Sequence, residues 1–274
     1  MARPSKQAHK RKPARRQRRD PRINVALARG LEILRAFRSD ELYLGNIELA
    51  RRTGIPKGTV SRLTYTLTAF GYLRYSEETE KFSIAPGILA LGYAVLANNA
   101  IHLIARPLME RLAIDTDSAV GLGVRDGQWV IHIEYAKGNT AVTRDNSVGF
   151  RVSLAESATG WACLAGMRPE DRAMALEQIR RDQGEAAWRT LSPRLKKAMT
   201  SVWQKGFCVS TGDVDPGFNA VAAPFLHEFR GESYVLNCVG PGYLFKRERM
   251  IRDIGPRMLA MADELRRRVS GVRG

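Results

Sequence analysis

Between Pro56 and Phe70, the apolar side chains Val60, Leu63, Leu67 and Phe70 return every three or four positions, the period of one buried helical stripe. The other side of this stretch carries Lys57, Thr59, Ser61, Arg62, Tyr65 and Thr66, and no acid. Upstream, "NVALARGLEILRAF" repeats the helical period, with Val25, Leu27, Leu31, Leu34 and Phe37 expected inward. "NIELARRTGIP" predicts a second, short helix with Asn46 as its N-cap. It stops at Gly54, where a left-handed backbone costs least. Pro56 then falls at the first position of the next helix, where its missing N–H is no loss. Gly71 ends that helix, and Leu73/Tyr75 and Phe82/Ile84 alternate around a polar turn as a β-hairpin. Helix, helix, tight turn, helix, hairpin is the order of a winged helix-turn-helix. The turn Gly54-Ile55-Pro56 is short enough to force a steep crossing, and Ala50 supplies a small side chain there.

From Pro86 to Asn98 the pattern predicts a connecting helix, and from Ile101 to Ile114 a second. In the first, Ile88, Leu89, Leu91, Tyr93, Val95 and Leu96 cover more than one face, so it is expected to pack against another chain or domain. From Ser118 the period shortens to two. "AVGLGVRDGQWVIHIEYA" reads as a hairpin about Asp126-Gly127. "SLAESATGWACLAG" reads as a helix after a loop, 169–205 as charged helices, and "GFCVSTGDVDPGFNAVAAPFLH" and "ESYVLNCVGPGY" as strands. One amphipathic helix from Lys246 closes the chain. The expected organisation is a tail over 1–22, a winged helix-turn-helix over 23–85, linker helices over 86–117, and an α+β domain with a mainly antiparallel sheet over 118–270.

Charge adds a partner to this picture. The 274 residues hold 44 Lys and Arg against 28 Asp and Glu, and residues 1–22 carry +9 of the net +16. With three prolines and hardly an apolar side chain, that tail cannot build a core and is expected to be disordered. A basic arm beside an acid-free helix face points to double-stranded DNA; a merely solubilising arm is the alternative. Lys57 and the helix N-terminus are expected at phosphate, and Gly58 is also expected at the DNA. Thr59, Ser61, Arg62, Tyr65 and Thr66 are expected toward the major groove, with Arg62 on a base edge.

Catalysis finds no support. His9, His102, His132 and His227 are scattered, Gly121 and Gly123 lack the spacing of a dinucleotide loop, and Ser157 lies in a helical run rather than a nucleophile elbow. Asp213 and Asp215 read as turn chemistry. We assign no catalytic residue, metal or cofactor. Cys163, Cys208 and Cys238 form no CxxC pair and are expected in the core of a cytoplasmic protein. No apolar run approaches a membrane span.

Several blocks, in order, resemble the IclR family of bacterial transcriptional regulators: "ALARGLEILRAF", "ELARRTGIPKGTVSRLTYTLTAFGYL", "FSIAPGILALG", "VGFRVSLAESATGWACLAG" and "KGFCVSTGDVDPGFNAVAAPF". The resemblance implies a winged helix domain, a linker helix, a GAF-like effector-binding domain, and homodimers or homotetramers on pseudo-palindromic operators. Matching segments place an effector pocket at Arg144, Val152, Ala158, Thr159, Ser210, Phe218, Ala220, Asn237 and Val239. Thr159, Ser210 and Asn237 would supply hydrogen bonds, Phe218 a wall for a flat aromatic acid, with an aliphatic keto acid as the runner-up, and Arg144 a partner for the carboxylate, unless it is a surface arginine in a loop. Ser210 stands where the family pattern has an acid, so a carboxylate effector would meet less repulsion. Trp161 stands where that pattern has a lysine. The alternative is an architectural nucleic-acid-binding protein whose second half only dimerises.

Overall fold

The computed structural model describes residues 21–37, 41–97, 101–139, 147–226 and 233–271. The tail up to residue 20 and Arg144 lie outside the described residues. The chain divides into two compact units, one up to Asn98 and one from Asn99.

In the first unit, α1 (Val25–Ala36) starts where the Asn24 side chain accepts hydrogen bonds from the N–H groups of Ala26 and Leu27. α2 (Asn46–Thr53) ends at Gly54, whose φ of 71° is left-handed, and α3 (Lys57–Ala69) follows. β1 (Leu73–Ser76) and β2 (Lys81–Ile84) form the antiparallel hairpin. Ile33, Leu44, Leu49, Ile55, Val60, Leu73 and Phe82 make the core, with Leu34, Phe37, Leu63 and Leu67 at its margin.

Four expectations change here. α1 is rotated: Gly30, Ile33 and Ala36 are buried, while Val25, Leu27 and Leu31 are exposed. Phe70 is 75% exposed, because α3 stops at Ala69 and the backbone turns away at Gly71 (φ 75°). Thr64, one turn after Val60, takes the buried place, its hydroxyl 3.0 Å from the Val60 carbonyl and 3.2 Å from Asn46 Oδ1. Asn46 is therefore not the N-cap. Gly45 is, and its N–H donates to the Glu48 carboxylate at 2.7 Å, one half of a capping box. Pro56 sits at the N-cap of α3, one position earlier than expected. α4 (Gly87–Ala97) has no buried residue, and Leu89, Leu91, Tyr93 and Val95 are each more than half exposed.

The second unit is built on one antiparallel sheet in the order β5-β4-β3-β8-β7-β6. Its strands are β3 (Ala119–Asp126), β4 (Trp129–Lys137), β5 (Arg151–Ser153), β6 (Cys208–Thr211), β7 (Phe218–Leu226) and β8 (Ser233–Pro241). α5 (Ile101–Thr116), grouped with the linker by sequence, packs instead on β3 and β4 and against the last helix. α6 (Ala158–Gly166), α7 (Pro169–Gln183) and α8 (Glu185–Lys205) form a second layer. Side chains alternate across a strand. Ala220, Ala222 and Val235 accordingly face the cluster formed by α6–α8, and Cys238 faces Ser118 at the end of α5, Sγ to Oγ 3.0 Å. The closing helix is not continuous: α9 (Arg247–Arg249) passes through a π-helical turn (Met250–Ile254) into α10 (Gly255–Gly271). Pro256 lacks the N–H that an unbroken α-helical ladder would use there. Burial pushes the thiols of Cys163 and Cys208 up to about 12 and that of Cys238 up to about 11, which fits inert core residues. Among the described residues no single helix is long and apolar enough to cross a membrane.

Candidate functional site

The outer face of α3 is held up by Val60 and Thr64 beneath it. Lys57, Gly58, Arg62, Tyr65 and Thr66 are exposed, Tyr65 by 77%, and Thr59 and Ser61 are half-buried. The first-turn N–H groups of a helix have no partner within it, so Lys57 adds its charge where the backbone already favours an anion. The Thr66 hydroxyl donates back to the Arg62 carbonyl at 3.0 Å, which occupies its proton. By sequence the β1–β2 turn is merely polar. It holds Glu77, Glu78 and Glu80, three carboxylates that would repel phosphate at a wing tip.

A cleft enclosing about 420 Å³, its open mouth included, lies between the sheet and the start of α6. It is lined by Val152, Ser157, Ala158, Thr159, Ser210, Val214, Asp215, Phe218, Ala220, Asn237 and Val239. Eight of the nine pocket residues expected from the sequence are thereby brought together; the ninth, Arg144, is the one outside the described residues. Ser157, Val214 and Asp215 were missed. Ser157 caps α6, its hydroxyl donating to the Ser153 carbonyl at 2.7 Å and accepting from Gly160 N–H at 3.0 Å. A Cβ on Gly160 would collide with the carbonyls of Ser153 and Leu154, so glycine is what lets α6 lie this close to the end of β5. Trp161 is buried beside the cleft and donates its indole N–H to the Ala155 carbonyl at 2.8 Å; it packs rather than lines.

The Ser210 hydroxyl is already engaged by a neighbouring carboxylate. The Ser210 hydroxyl donates to Asp213 Oδ2 at 2.7 Å, Thr211 N–H donates to the same oxygen at 3.1 Å, and Arg194 pairs with the other one. Asp213 thus takes up the Ser210 hydroxyl from outside the cleft lining, with its own charge paired to Arg194. Asp215 places a carboxylate at the cleft, where its Oδ1 accepts from Gly217 N–H at 3.1 Å. No cation lines the cleft among the described residues. Favourable anion contacts are left to Thr159 and to the N-terminus of α6.

Behind Asn237 lies His132, fully buried against it. Its Nε2 is 3.1 Å from Asn237 Oδ1 and its Nδ1 3.3 Å from the Phe150 carbonyl. Loss of hydration on burial pushes the imidazole below its usual range, against the opposing pull of these two hydrogen bonds.

Two family models cover this chain: the IclR helix-turn-helix domain over residues 26–77, and the bacterial transcriptional regulator IclR C-terminal domain over residues 93–267. The chain belongs to the IclR family. This IclR-family protein is a DNA-binding transcriptional regulator. It is 30% identical over 250 residues to the HTH-type transcriptional regulator TsaQ1/TsaQ2 of Comamonas testosteroni, covering 90% of this chain and 89% of that one. Among solved structures it matches an IclR family transcriptional regulator from Brucella abortus at 39% identity and a TM-score of 0.79, over 91% and 94% of the two chains. An IclR homolog from Microbacterium hydrocarbonoxydans, complexed with 4-hydroxybenzoate, shares the fold at 20% identity and a TM-score of 0.65, over 88% and 99%.

Proposed function

We propose that this IclR-family regulator reads its operator with the exposed face of α3 and takes a small organic acid, of aromatic shape, in the cleft of the second unit. The observation that carries the effector reading is the cleft itself: apolar walls from Val152, Ala220, Val239 and Phe218, with hydroxyl and amide groups placed among them and the start of a helix at one end. Such a site binds by burying a flat apolar body and fixing a few polar ends. The acid's carboxylate would meet the N-terminus of α6 and Thr159, and its ring the side chain of Phe218. On α3, Lys57 and Gly58 would hold phosphate while Thr59, Ser61, Arg62, Tyr65 and Thr66 enter the groove. The apolar face of α4 would be covered by a second copy of the chain. That gives the paired half-site reading a pseudo-palindromic operator requires. The effector regulates only by preferring one DNA-binding arrangement over another.

A melting screen of the purified protein against organic acids tests the effector reading, with 4-hydroxybenzoate as the first probe because the Microbacterium relative binds it. A ligand at a hundred times its Kd adds about 2.7 kcal/mol to the folded state and raises Tm. Asn237→Ala and Thr159→Ala should abolish that rise. If both variants bind like the wild type, the cleft is not the site; if no acid raises Tm, the architectural alternative takes its place.

A further inference from the structure

The His132 ring touches the Asn237 amide from the side away from the cleft. It lies between a carbonyl that can only accept, Phe150 O, and an amide that can do either, Asn237. Bonding Phe150 requires a proton on Nδ1. A second proton on Nε2 would make the ring an imidazolium packed against the rings of Phe150 (6.2 Å) and Tyr135 (5.6 Å), with no carboxylate paired to it among the described residues. Glu134, on the same strand, is turned to Arg106 at 3.6 Å. A neutral ring with its proton on Nδ1 leaves a lone pair on Nε2, and a lone pair facing Asn237 Oδ1 at 3.1 Å is repulsive. Turning the amide by half a revolution about its last bond removes the conflict. The NH2 then donates to Nε2, and the carbonyl oxygen is left for the cleft. Gly121 leaves room for the pair, since any Cβ there would intrude on both the Asn237 amide and the His132 ring.

We propose that His132 is a positioning residue that holds Asn237 with its carbonyl oxygen toward the cleft, so that the cleft offers an acceptor there and selects an organic acid bearing a hydroxyl group over the same acid without it. The proposal rests on the effector reading above. It gives the two ends of the effector different partners: the carboxylate at the start of α6, the hydroxyl proton at Asn237. Leaving a buried acceptor unpaired is what penalises the acid that lacks the hydroxyl.

Two measurements on the full-length protein test it. The first needs no ligand. Nitrogen-15 NMR of the imidazole at neutral pH, assigned by loss of its signals in His132→Gln, should show a protonated Nδ1 and a bare Nε2; an Nε2–H tautomer or a doubly protonated ring overturns the proposal. The second is calorimetric titration with benzoate, 3-hydroxybenzoate and 4-hydroxybenzoate. One hydroxylated acid should bind roughly tenfold more tightly than benzoate in the wild type. That preference should vanish in His132→Leu and return in His132→Gln, whose amide oxygen can take the same hydrogen bond. Equal or inverted preference in the wild type overturns the proposal. If none of the three acids binds, the effector reading fails for this chemical class, and the nitrogen signals alone decide the His132–Asn237 arrangement.

Discussion

Arg62 stands out from α3 without an acid on its own face, which leaves its guanidinium free to bond bidentately to a guanine edge. Arg62→Ala should cost on the order of 1–3 kcal/mol in operator binding and relax specificity at one base pair. Selection from randomised sites reads this: equal weakening on all sequences would mean that Arg62 touches only phosphate. His132 carries a different prediction. Its pKa in the folded protein is lowered below 6.5, so the unfolded chain binds the proton more readily. Stability therefore rises with pH through this window and is lost as pH falls below about 6.5, by at most about 1.4 kcal/mol per pH unit from this one group. Urea midpoints at several pH values should show a shallower acid loss in His132→Gln than in the wild type. Of these residues, the α3 face was legible from period and charge alone, and eight cleft residues from matching sequence blocks. His132 was not. It reads as one scattered histidine, and its partner Asn237 is 105 positions away, where no local spacing links them. Asp215 escaped because the DVDPG run also satisfies an ordinary turn.

At the scale of elements, hydrophobic period located the helices better than it oriented them. α1 carries apolar side chains on both sides, so Leu27 and Leu31 competed with Ile33 and Ala36 for the inward face, and packing chose the latter. Phe70 fits the α3 stripe by spacing, yet the helix ends one residue before it. α4 was plain from sequence because it has no polar side to confuse the reading. The break before α10 was not, since a π-helical turn keeps the overall amphipathic rhythm. The placement of α6 depends on one missing side chain. Gly160→Ala should destabilise the second unit by about 1–3 kcal/mol, because the added methyl meets backbone carbonyls that cannot move aside as a side chain could. Chemical denaturation followed through the buried Trp161 would measure it; an unchanged midpoint would mean that α6 shifts freely. The cleft should suffer in the same variant, since Ala158 and Thr159 move with the helix.

For the molecule as a whole, charge is divided unevenly, with +9 of +16 in residues 1–22. Deleting those residues should make log K fall less steeply with log salt, by about 0.9 for every phosphate the tail had neutralised, and leave the ranking of operators unchanged. An identical slope in the truncated protein would make the tail a solubility arm. Separate linker helices were expected over 86–117, but the chain divides at Asn98 and α5 belongs to the second unit, because it spends its apolar side on the sheet. That sheet places β3 between β4, its immediate neighbour in sequence, and β8, the last strand made among the described residues. Ser118 and Cys238, now in contact, are 120 residues apart. At a synthesis rate of roughly 5–20 residues per second, the ribosome spends about 6–24 s on the intervening chain. During that interval the β3–β4 hairpin has one edge with no partner of its own. The nascent chain is therefore most exposed to chaperones, and to pairing with its neighbours on a crowded polysome, in the seconds before β8 emerges.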